Sequence, residues 1–270
     1  MNLRTIAFAV ALLAAALAAG CSGGPPGPSA PVAVGTGTAH LQVTDAPAAV
    51  EAVNLVVLQV AIHHAGAADT LSGWEILRTD SLTLELLSLR GGTTADLALG
   101  TVPAGSYDQV RLKLSTRSSV QVDGATFPLT VPSGSESGLK IIGDFDVPSG
   151  GTARIVLDFD AERSIHRTGS DKYIMQPVVR MIDVAGAGSI AGRLAPADIP
   201  VTLHAVLAGD TLRSVTATAG HAAFSLPLLP AGSYTLLVRP AANFRDTSLA
   251  NLVVAAGGTT DIGTLALTPR

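Results

Sequence analysis

Apolar and polar residues alternate with a period of two along most of the chain beyond residue 38, a pattern typical of β-strands with one buried face. In the run 153–160, Ile155, Leu157 and Phe159 fall on one face, and charged residues fall on the other. Clusters of Gly and Pro separate such runs at the spacing of sandwich turns. We therefore predict an all-β fold of antiparallel sheets.

The strands fall into two blocks, 38–184 and 187–268, separated by a short Gly- and Ala-rich segment. In the first block, Val50–Ile62 is predicted as a central strand with a bend, whereas Asp80–Leu89 fits either a strand or a short helix. The second block predicts seven short strands, over Ser189–Leu194, Val201–Leu207, Ser214–Thr218, Ala222–Leu226, Tyr234–Val238, Leu249–Val254 and Ile262–Leu267. We expect two antiparallel Greek-key β-sandwich domains in tandem.

One motif, Pro-Ala-Gly-Ser-Tyr, occurs once in each block, ending at Tyr107 and at Tyr234. We predict a tight turn in which the glycine adopts a positive φ. A tyrosine at such a corner places its ring in the core and its hydroxyl on nearby backbone. The repetition predicts two sandwiches of related topology, with both tyrosines in structural roles.

The first twenty residues predict a cleaved secretory signal. Arg4 precedes the apolar run Ile6–Leu17, which as a helix spans about 18 Å and is too short for a ~30 Å hydrocarbon layer. The segment Leu17–Cys21 then resembles the bacterial lipobox. The resemblance implies that Cys21 is joined to diacylglycerol and becomes the acylated N-terminus, bearing palmitate-type chains. An ordinary signal peptide with a chance cysteine is the alternative.

Residues 21–37 comprise the lipidated cysteine and a Gly/Pro/Ser-rich linker without hydrophobic periodicity. Several acyl chains suffice for stable membrane anchoring. Ser22, rather than Asp, follows the cysteine, and by the sorting pattern of lipoproteins this implies the outer membrane in a cell with two membranes. We therefore predict a lipid-anchored protein of the bacterial cell envelope.

Several function classes are disfavoured by the composition and the motifs. A net charge of −4 gives no basic surface for nucleic acid, and a single Cys excludes an intrachain disulfide. The nearest approach to a hydrolase elbow, Gly134–Gly138, has Glu at its central position. His63 and His64 are adjacent strand positions that face opposite ways, so we interpret them as structural or solvated. We expect no enzyme activity.

One acidic group has two interpretations. Asp144, Asp146, Asp158 and Asp160 lie two apart in two successive strands. If these strands form a hairpin, the four carboxylates converge and would hold Ca²⁺. Alternatively, the intervening phenylalanines fill the core and the aspartates form a solvated face, which their mutual repulsion favours.

Trp74 is the only candidate for a ligand platform. Carbohydrate sites need exposed aromatic rings, and the chain has one Trp and three Tyr, two of them assigned to corners. Trp74 follows Gly73 at a loop or strand edge. The other interpretation is that Trp74 is a core anchor.

The first block resembles the domain of unknown function 4382, a family found in bacterial lipoproteins, over about residues 36–184. The motifs that carry the resemblance are Thr44–Pro47, Gly73–Trp74, Asp80–Leu89, Pro103–Tyr107 with Val110–Leu112, Val131–Gly134, Ser137–Lys140, Leu157–Asp160 and Gln176–Arg180. The family implies a β-sandwich in the cell envelope and implies no activity.

The second block is similar to carboxypeptidase-regulatory-like, or transthyretin-like, modules. The matching segments are Gly192–Leu194, Pro200–Leu203, Gly220–Leu226 and Leu229–Leu236. The chain departs from the pattern before Phe224, where such modules often have Asp-Gly. The resemblance implies an accessory module that spaces, rigidifies or binds, and some relatives on this fold hold carbohydrate.

Together these features predict a non-catalytic, membrane-anchored envelope lipoprotein that serves in adhesion, scaffolding or surface interaction. The alternative is a carbohydrate-binding surface module. The expected partners are the membrane, through the lipid, and an unidentified envelope protein or glycan. No cofactor is expected apart from the Ca²⁺ considered above.

Overall fold

The computed structural model describes residues 35–45, 50–132, 134–169, 172–241 and 243–270. The predicted signal peptide, Cys21 and nearly all of the linker lie outside the described residues. Within the described ranges, no helix is both long enough and apolar enough to cross a membrane. The described residues belong to one compact unit whose regular secondary structure is nearly all β-strand, which confirms the all-β prediction.

The first sandwich contains thirteen strands and one short helix. They are β1 (Thr36–Asp45), β2 (Ala52–His64), β3 (Trp74–Arg78), β4 (Leu82–Glu85), β5 (Ala95–Pro103), β6 (Gly105–Leu114), β7 (Ser119–Val122), β8 (Ala125–Thr130), β9 (Leu139–Val147), β10 (Thr152–Phe159), α1 (Ala161–Ser164), β11 (Ile165–Arg167), β12 (Tyr173–Met175) and β13 (Val179–Asp183). Short 3₁₀ segments cover Leu71–Gly73, Leu86–Gly92 and Val184–Gly186.

The second sandwich contains the seven predicted strands. They are β14 (Ala187–Ala195), β15 (Val201–Leu207), β16 (Asp210–Ala217), β17 (Ala223–Pro230), β18 (Gly232–Pro240), β19 (Thr247–Val254) and β20 (Thr259–Ala266). Each overlaps its predicted segment, because an apolar residue at every second position needs a sheet to bury it.

Each sandwich consists of two sheets around an apolar core. In the first, the sheet β13-β10-β1-β5 faces a nine-stranded sheet whose path is β11-β12-β8-β7-β2-β6-β9, with β3 and β4 also paired to β2. In the second, the sheet β17-β14-β20 faces β16-β15-β18-β19. The two cores are separate clusters of buried residues.

Six strands of each sandwich have the same arrangement. The first strand of each, β1 or β14, lies between an antiparallel partner, β5 or β17, and a parallel partner, β10 or β20. In the other sheet, β6 lies between β2 and β9, just as β18 lies between β15 and β19. The related topology predicted from the repeated motif is therefore confirmed.

Three strand pairs differ from the antiparallel sheets that we predicted. The pairs β1–β10, β14–β20 and β8–β12 are parallel. In each case the two strands are far apart in the sequence, and a long connection permits parallel pairing. The alternation of apolar residues shows which residues form strands but carries no information on their direction.

The repeated motif carries the chain from one sheet to the other in both sandwiches. Tyr107 donates a hydrogen bond from its hydroxyl to the Pro103 carbonyl at 2.7 Å, and Tyr234 donates to Pro230 at 2.8 Å. Both tyrosines are buried, as predicted. Gly105 has a positive φ, as predicted. The equivalent glycine of the second motif, Gly232, is not among the described residues with a positive φ, so the prediction is wrong there.

Two local predictions are refined. The segment Asp80–Leu89 is both strand and helix, because Glu85 ends β4 and its carboxylate accepts the N–H groups of Leu87 and Ser88, which begins a 3₁₀ segment. The first strand begins at Thr36, inside the predicted linker. Gly37 lies so close to Val147 and Pro148 that a Cβ would stand 2.3 Å from the Pro148 carbonyl oxygen. Gly37 therefore serves close packing.

Candidate functional site

A group of buried charges lies where one end of the β13-β10-β1-β5 sheet meets strand β16 of the second sandwich. We call this region the junction. Its centre is Asp158 on β10, whose side chain is 1% exposed. Arg180, the registered partner of Asp158 on β13, donates to Asp158 Oδ2 at 2.6 Å. Arg180 also donates to the Leu212 carbonyl of β16 at 2.8 Å, so this arginine connects the two sandwiches.

Arg213 brings a second cation to Asp158 from the other sandwich. Its Nη1 lies 3.4 Å from Asp158 Oδ1, and its side chain is 2% exposed. Burial lowers the pKa of the Arg213 guanidinium, while Asp158 acts in the opposite direction. A buried charge is costly unless it is paired, so Asp158 and the two arginines depend on one another.

Asp45, at the end of β1, is a second buried acid at the junction. Its Oδ1 accepts the N–H of Ala161 at 3.1 Å, which positions the start of α1. Burial raises the pKa of the Asp45 carboxyl to about 8, against weaker opposing effects of the Ala161 hydrogen bond and of Arg90. Asp45 is therefore largely protonated at neutral pH.

Thr44 fixes the neighbouring wall of the junction. Its hydroxyl lies 2.9 Å from the Leu89 carbonyl, which holds the 3₁₀ segment Leu86–Gly92 against β1. This contact positions Arg90, whose charge acts on Asp45. Thr44 and Asp45, the last two residues of β1, thus position the 3₁₀ segment and α1, respectively.

These groups surround a cavity of about 850 Å³ between the two sandwiches. The first sandwich lines it with Asp45, Arg90, Gly91, Asp160, Glu162 and Arg163, and the second lines it with residues of β15 and β16. This volume lies within the range of small-molecule sites. A buried acid of raised pKa that lines a cavity makes the junction a candidate functional site.

A histidine and a serine face each other on the second-sandwich wall of the cavity. His204 on β15 and Ser214 on β16 are registered partners, with 2.7 Å between His204 Nδ1 and Ser214 Oγ. Burial lowers the pKa of the His204 imidazole, and Arg239 acts in the same direction. Among the described residues, no carboxylate hydrogen-bonds to this ring, so the pair lacks the orienting acid of a catalytic triad.

The junction was not predicted as a site, although the sequence contained a signal for it. Three of the motifs that carry the family resemblance each place an ionisable residue there: Asp45 from Thr44–Pro47, Asp158 from Leu157–Asp160 and Arg180 from Gln176–Arg180. The strands β1, β10 and β13 are neighbours in one sheet. Motifs more than a hundred residues apart in the chain thus meet at one sheet end.

The predicted hairpin of acidic strands is wrong. The turn after Val147 carries the chain from β9 to β10, but these strands belong to opposite sheets of the sandwich. Asp144 is exposed, and Asp146 is exposed and accepts the hydroxyl of Ser106 at 2.6 Å. The interpretation as a solvated face is therefore correct for these two residues.

The other two aspartates have different roles. Asp158 is buried in the junction, because the second sandwich covers this part of the sheet, and the prediction of a solvated position is wrong there. Asp160 caps α1 by accepting the N–H of Arg163 at 3.0 Å. Within the described ranges, no three acidic, His or Cys side chains are grouped so as to hold a metal ion.

Trp74 is half-buried and lies within a network of charged and aromatic side chains. The guanidinium carbon of Arg111 lies 3.7 Å from the ring centroid, in cation–π contact. Trp74 Nε1 donates to Asp69 at 2.9 Å, and His63 lies 4.7 Å away between ring centroids. Arg111 therefore covers one face of the ring, and the role of Trp74 as a ligand platform stays a prediction.

His63 and His64 diverge, as their strand positions predict. His63 Nδ1 lies 2.8 Å from Asp108, whereas His64 Nε2 lies 3.1 Å from Glu75. Each ring therefore has its own carboxylate partner.

The fold and the junction define a class: an all-β protein of two sandwiches that share one topology and meet through buried charges. Residues 36–177, more than half of the chain, match the family model described as Domain of unknown function (DUF4382). The chain belongs to this family. Curated proteins provide no match to the sequence.

Similar solved structures include three bacterial proteins. The Bacillus anthracis TIE protein has 10% identity and a TM-score of 0.23, with 87% of this chain and 34% of that chain covered, so this chain spans about a third of its length. A minor pilin of Streptococcus agalactiae has 10% identity and a TM-score of 0.23, with 86% and 96% covered. A putative cell adhesion protein of Bacteroides fragilis has 10% identity and a TM-score of 0.24, with 80% and 84% covered. At these TM-scores the likenesses have no bearing on function.

Proposed function

We propose that this protein is a non-catalytic, lipid-anchored protein of the bacterial envelope, whose two sandwiches act as one scaffold that presents surfaces to a partner. The observation that carries the proposal is the junction, where Arg180 links Asp158 to the Leu212 backbone and Arg213 is buried on Asp158. A buried ion pair holds its two partners in one arrangement, because separating them exposes unpaired charge to an apolar environment. Such a joint suits a scaffold.

The polar groups of the junction support a structural role. Asp158 pairs with two arginines, Asp160 caps α1, and Asp45 accepts a backbone N–H of the same helix. Each of these acids is engaged in holding an element in place. An apolar contact beside them, formed by Val156, Ile182 and Ala187, adds to the joint.

The sequence supports the membrane anchor. A short apolar run ends at Gly20–Cys21, and a Gly/Pro/Ser-rich segment follows before β1. In this proposal the acyl chains on Cys21 hold the protein at the membrane, and Ser22 directs it to the outer membrane where the cell has one.

Fractionation of the producing bacterium tests the anchor. We expect the wild-type chain to sediment with membranes and to incorporate labelled palmitate, and processing to be blocked by globomycin. Cys21→Ala is expected to lose the label and the membrane association. A wild-type chain that is processed in the presence of globomycin and recovered in the soluble fraction would refute the anchor.

Cross-linking in intact cells tests the scaffold. We expect the wild-type chain to cross-link reproducibly to one envelope partner, and Asp158→Ala to lose that product because the two sandwiches no longer hold one arrangement. Asp144→Ala, at an exposed aspartate on β9, is the matched control and should keep it. An unchanged product in Asp158→Ala contradicts the proposed role of the junction, and turnover of a metabolite by the purified chain contradicts the non-catalytic assignment.

A further inference from the structure

Two buried nitrogens of Arg213, Nε and Nη2, form one edge of its guanidinium and make no hydrogen bond to the described residues of the junction. Only its Nη1 contacts Asp158, while Nε and Nη2 are shielded from solvent and have no hydrogen-bond partner among the described residues. These two nitrogens lie on the same side of the guanidinium and form a fork. Such a fork matches the two oxygens of a carboxylate or phosphate.

An unpaired buried donor is unfavourable. More than nine-tenths of buried polar groups in native proteins have a partner, and a missing one points to water, an ion or a ligand. Arg213 has two such donors, its residue is 3% exposed, and it lines the 850 Å³ cavity. The cavity is much larger than a single water requires.

Asp45 provides a second unpaired group in the same cavity. Its Oδ1 accepts the Ala161 N–H, but its Oδ2 is buried without a partner among the described residues. Because burial raises the pKa of this carboxyl to about 8, Oδ2 carries a proton at neutral pH and offers a donor. A neutral Asp45 also avoids repelling an anion.

The balance of buried charge favours an anion. With Asp45 neutral, Asp158 is the only buried carboxylate facing Arg180 and Arg213 among the described residues. Arg90 and Arg163 add positive charge to the cavity wall. Of the other acids in the lining, Asp160 already accepts a backbone N–H, and Glu162 and Asp210 are exposed to solvent, where charge is screened.

We infer that the junction cavity binds a small anion through a carboxylate or phosphate group held by the Nε–Nη2 edge of Arg213, with the Asp45 carboxyl as a second donor. This site goes beyond the scaffold and does not depend on the membrane anchor. Its ligand would bind both sandwiches at once and so stabilise the junction.

Calorimetry and thermal unfolding of the full-length chain in detergent test the site. The probes are inorganic phosphate, acetate and succinate at neutral pH, each compared with chloride at equal ionic strength. We expect saturable heat and a rise in melting temperature with at least one probe. The separate phosphate and carboxylate arms identify which group the site takes.

Two substitutions of arginine by lysine locate the site. Arg213→Lys keeps the charge beside Asp158 but removes the fork, and we expect the affinity for the probe to fall about tenfold or more. Arg193→Lys, at an exposed residue of β14 outside the cavity, is the matched control and should bind as the wild type does. Equal affinity of Arg213→Lys and the wild type would overturn the inference.

A second pair of variants keeps the test decisive if Arg213→Lys does not fold. Asp45→Asn retains a donor at the Oδ2 position and should retain binding, whereas Asp45→Leu removes it and should weaken binding several-fold. If none of the probes gives heat or raises the melting temperature at millimolar concentration, the unpaired edge holds only water and the inference is wrong. Because Cys21→Ala should bind the probe normally, failure of the anchor and failure of this site are separable.

Discussion

The two sandwiches share the same core arrangement of strands, yet they contribute opposite charges to the buried ion pair between them, Asp158 from the first and Arg213 from the second. The first buries the acids Asp45 and Asp158 at the end of one sheet, and the second buries Arg213 on β16. Asp158 is buried by the second sandwich, because it lies on a strand face that the alternation marks as solvated. Asp45 instead lies on the same face of β1 as the core residues Leu41 and Val43. A shared topology therefore leaves the outer surfaces of the two sandwiches free to specialise.

The tyrosine corners, in contrast, have the same local structure in both sandwiches. Tyr107 and Tyr234 make the same hydrogen bond to a proline carbonyl four residues earlier, at 2.7 and 2.8 Å. Their surroundings differ, since Tyr107 stacks on Phe145 at 5.4 Å between centroids and contacts His64 at 4.5 Å. The local motif fixes the corner, and the rest of each core decides what packs around it.

The largest expected effect is at the contact between the sandwiches. Asp158→Ala leaves Arg213 buried without a counterion, and breaking a buried pair from one side costs about 3–5 kcal/mol. We expect the free energy of unfolding to fall by about 3 kcal/mol or more, measured by denaturant titration with circular dichroism. Asp144→Ala, at an exposed position, should change it by less than about 0.5 kcal/mol.

A double variant separates the loss of the pair from the loss of packing. In Asp158→Leu/Arg213→Met both buried charges are replaced by apolar side chains, and only Arg180, whose side chain is 37% exposed, loses its carboxylate partner. We expect the double variant to recover most of the stability that Asp158→Ala loses. A double variant as unstable as Asp158→Ala would show that the charges themselves are not the cause.

The second acid should give the first sandwich an unusual dependence on pH. Burial raises the pKa of Asp45 from 3.8 to about 8, so between these values the folded chain binds a proton that the unfolded chain has lost. Stability therefore falls as pH rises through this window, by at most about 1.4 kcal/mol per pH unit. Asp45→Asn removes the titrating group and should make the unfolding free energy flatter between pH 5 and pH 8.

The charges that act on Asp45 define the control for this experiment. Arg90 and the Ala161 N–H favour its ionised form, and Asp158 and Asp160 oppose it. Glu162→Gln removes a carboxylate that lines the same cavity but is exposed, and it should leave the pH profile of the wild type unchanged. A wild-type profile that rises between pH 5 and pH 8 would contradict the buried, protonated Asp45.

Strands and corners could be predicted from the sequence because both are local. Alternation over six to ten residues identified β15 and the other strands of the second sandwich, and the Pro-Ala-Gly-Ser-Tyr motif placed both tyrosine hydroxyls on backbone. The hairpin predicted at the turn after Val147 is wrong. Pro and Gly mark a turn equally well whether the strand that follows pairs with the preceding strand or crosses to the opposite sheet.

The junction could not be predicted from the alternation. Asp158 and Arg213 are 55 residues apart and lie on different sandwiches, so no periodic pattern relates them. The period of two places Asp158 on the face of β10 that points away from the core of its own sandwich. It carries no information on whether another part of the protein covers that face. The one usable signal was that three separate motifs of the family resemblance contain ionisable residues, Asp45, Asp158 and Arg180.

The two corners should give equal, moderate effects when only the hydroxyl is removed. Tyr107→Phe and Tyr234→Phe each lose one buried hydrogen bond to a proline carbonyl, and we expect each to cost about 1 kcal/mol. Truncation to Leu should separate them, because Tyr107 also loses its stack on Phe145, worth about 0.5–1.5 kcal/mol. The expected order is a greater loss in Tyr107→Leu than in Tyr234→Leu, and the reverse order would contradict the role given to the stack.

The smallest expected effect is at Trp74, which has no counterpart in the second sandwich because the chain has a single tryptophan. Arg111→Met removes the cation over the ring and should cost about 0.5–1 kcal/mol, with a change in tryptophan emission. Lys113→Met, two residues further along the same face of β6, is the matched control and should leave the emission unchanged.

The neighbouring Asp69 gives an independent measure of this network. Hydrogen bonds from Trp74, Lys140 and Arg111 lower the pKa of the Asp69 carboxyl to about 2. Its contribution to stability is present above pH 4 and is lost as the pH falls towards 2, so Arg111→Met should move that acid transition to higher pH. An unchanged transition would show that the network around Trp74 does not depend on Arg111.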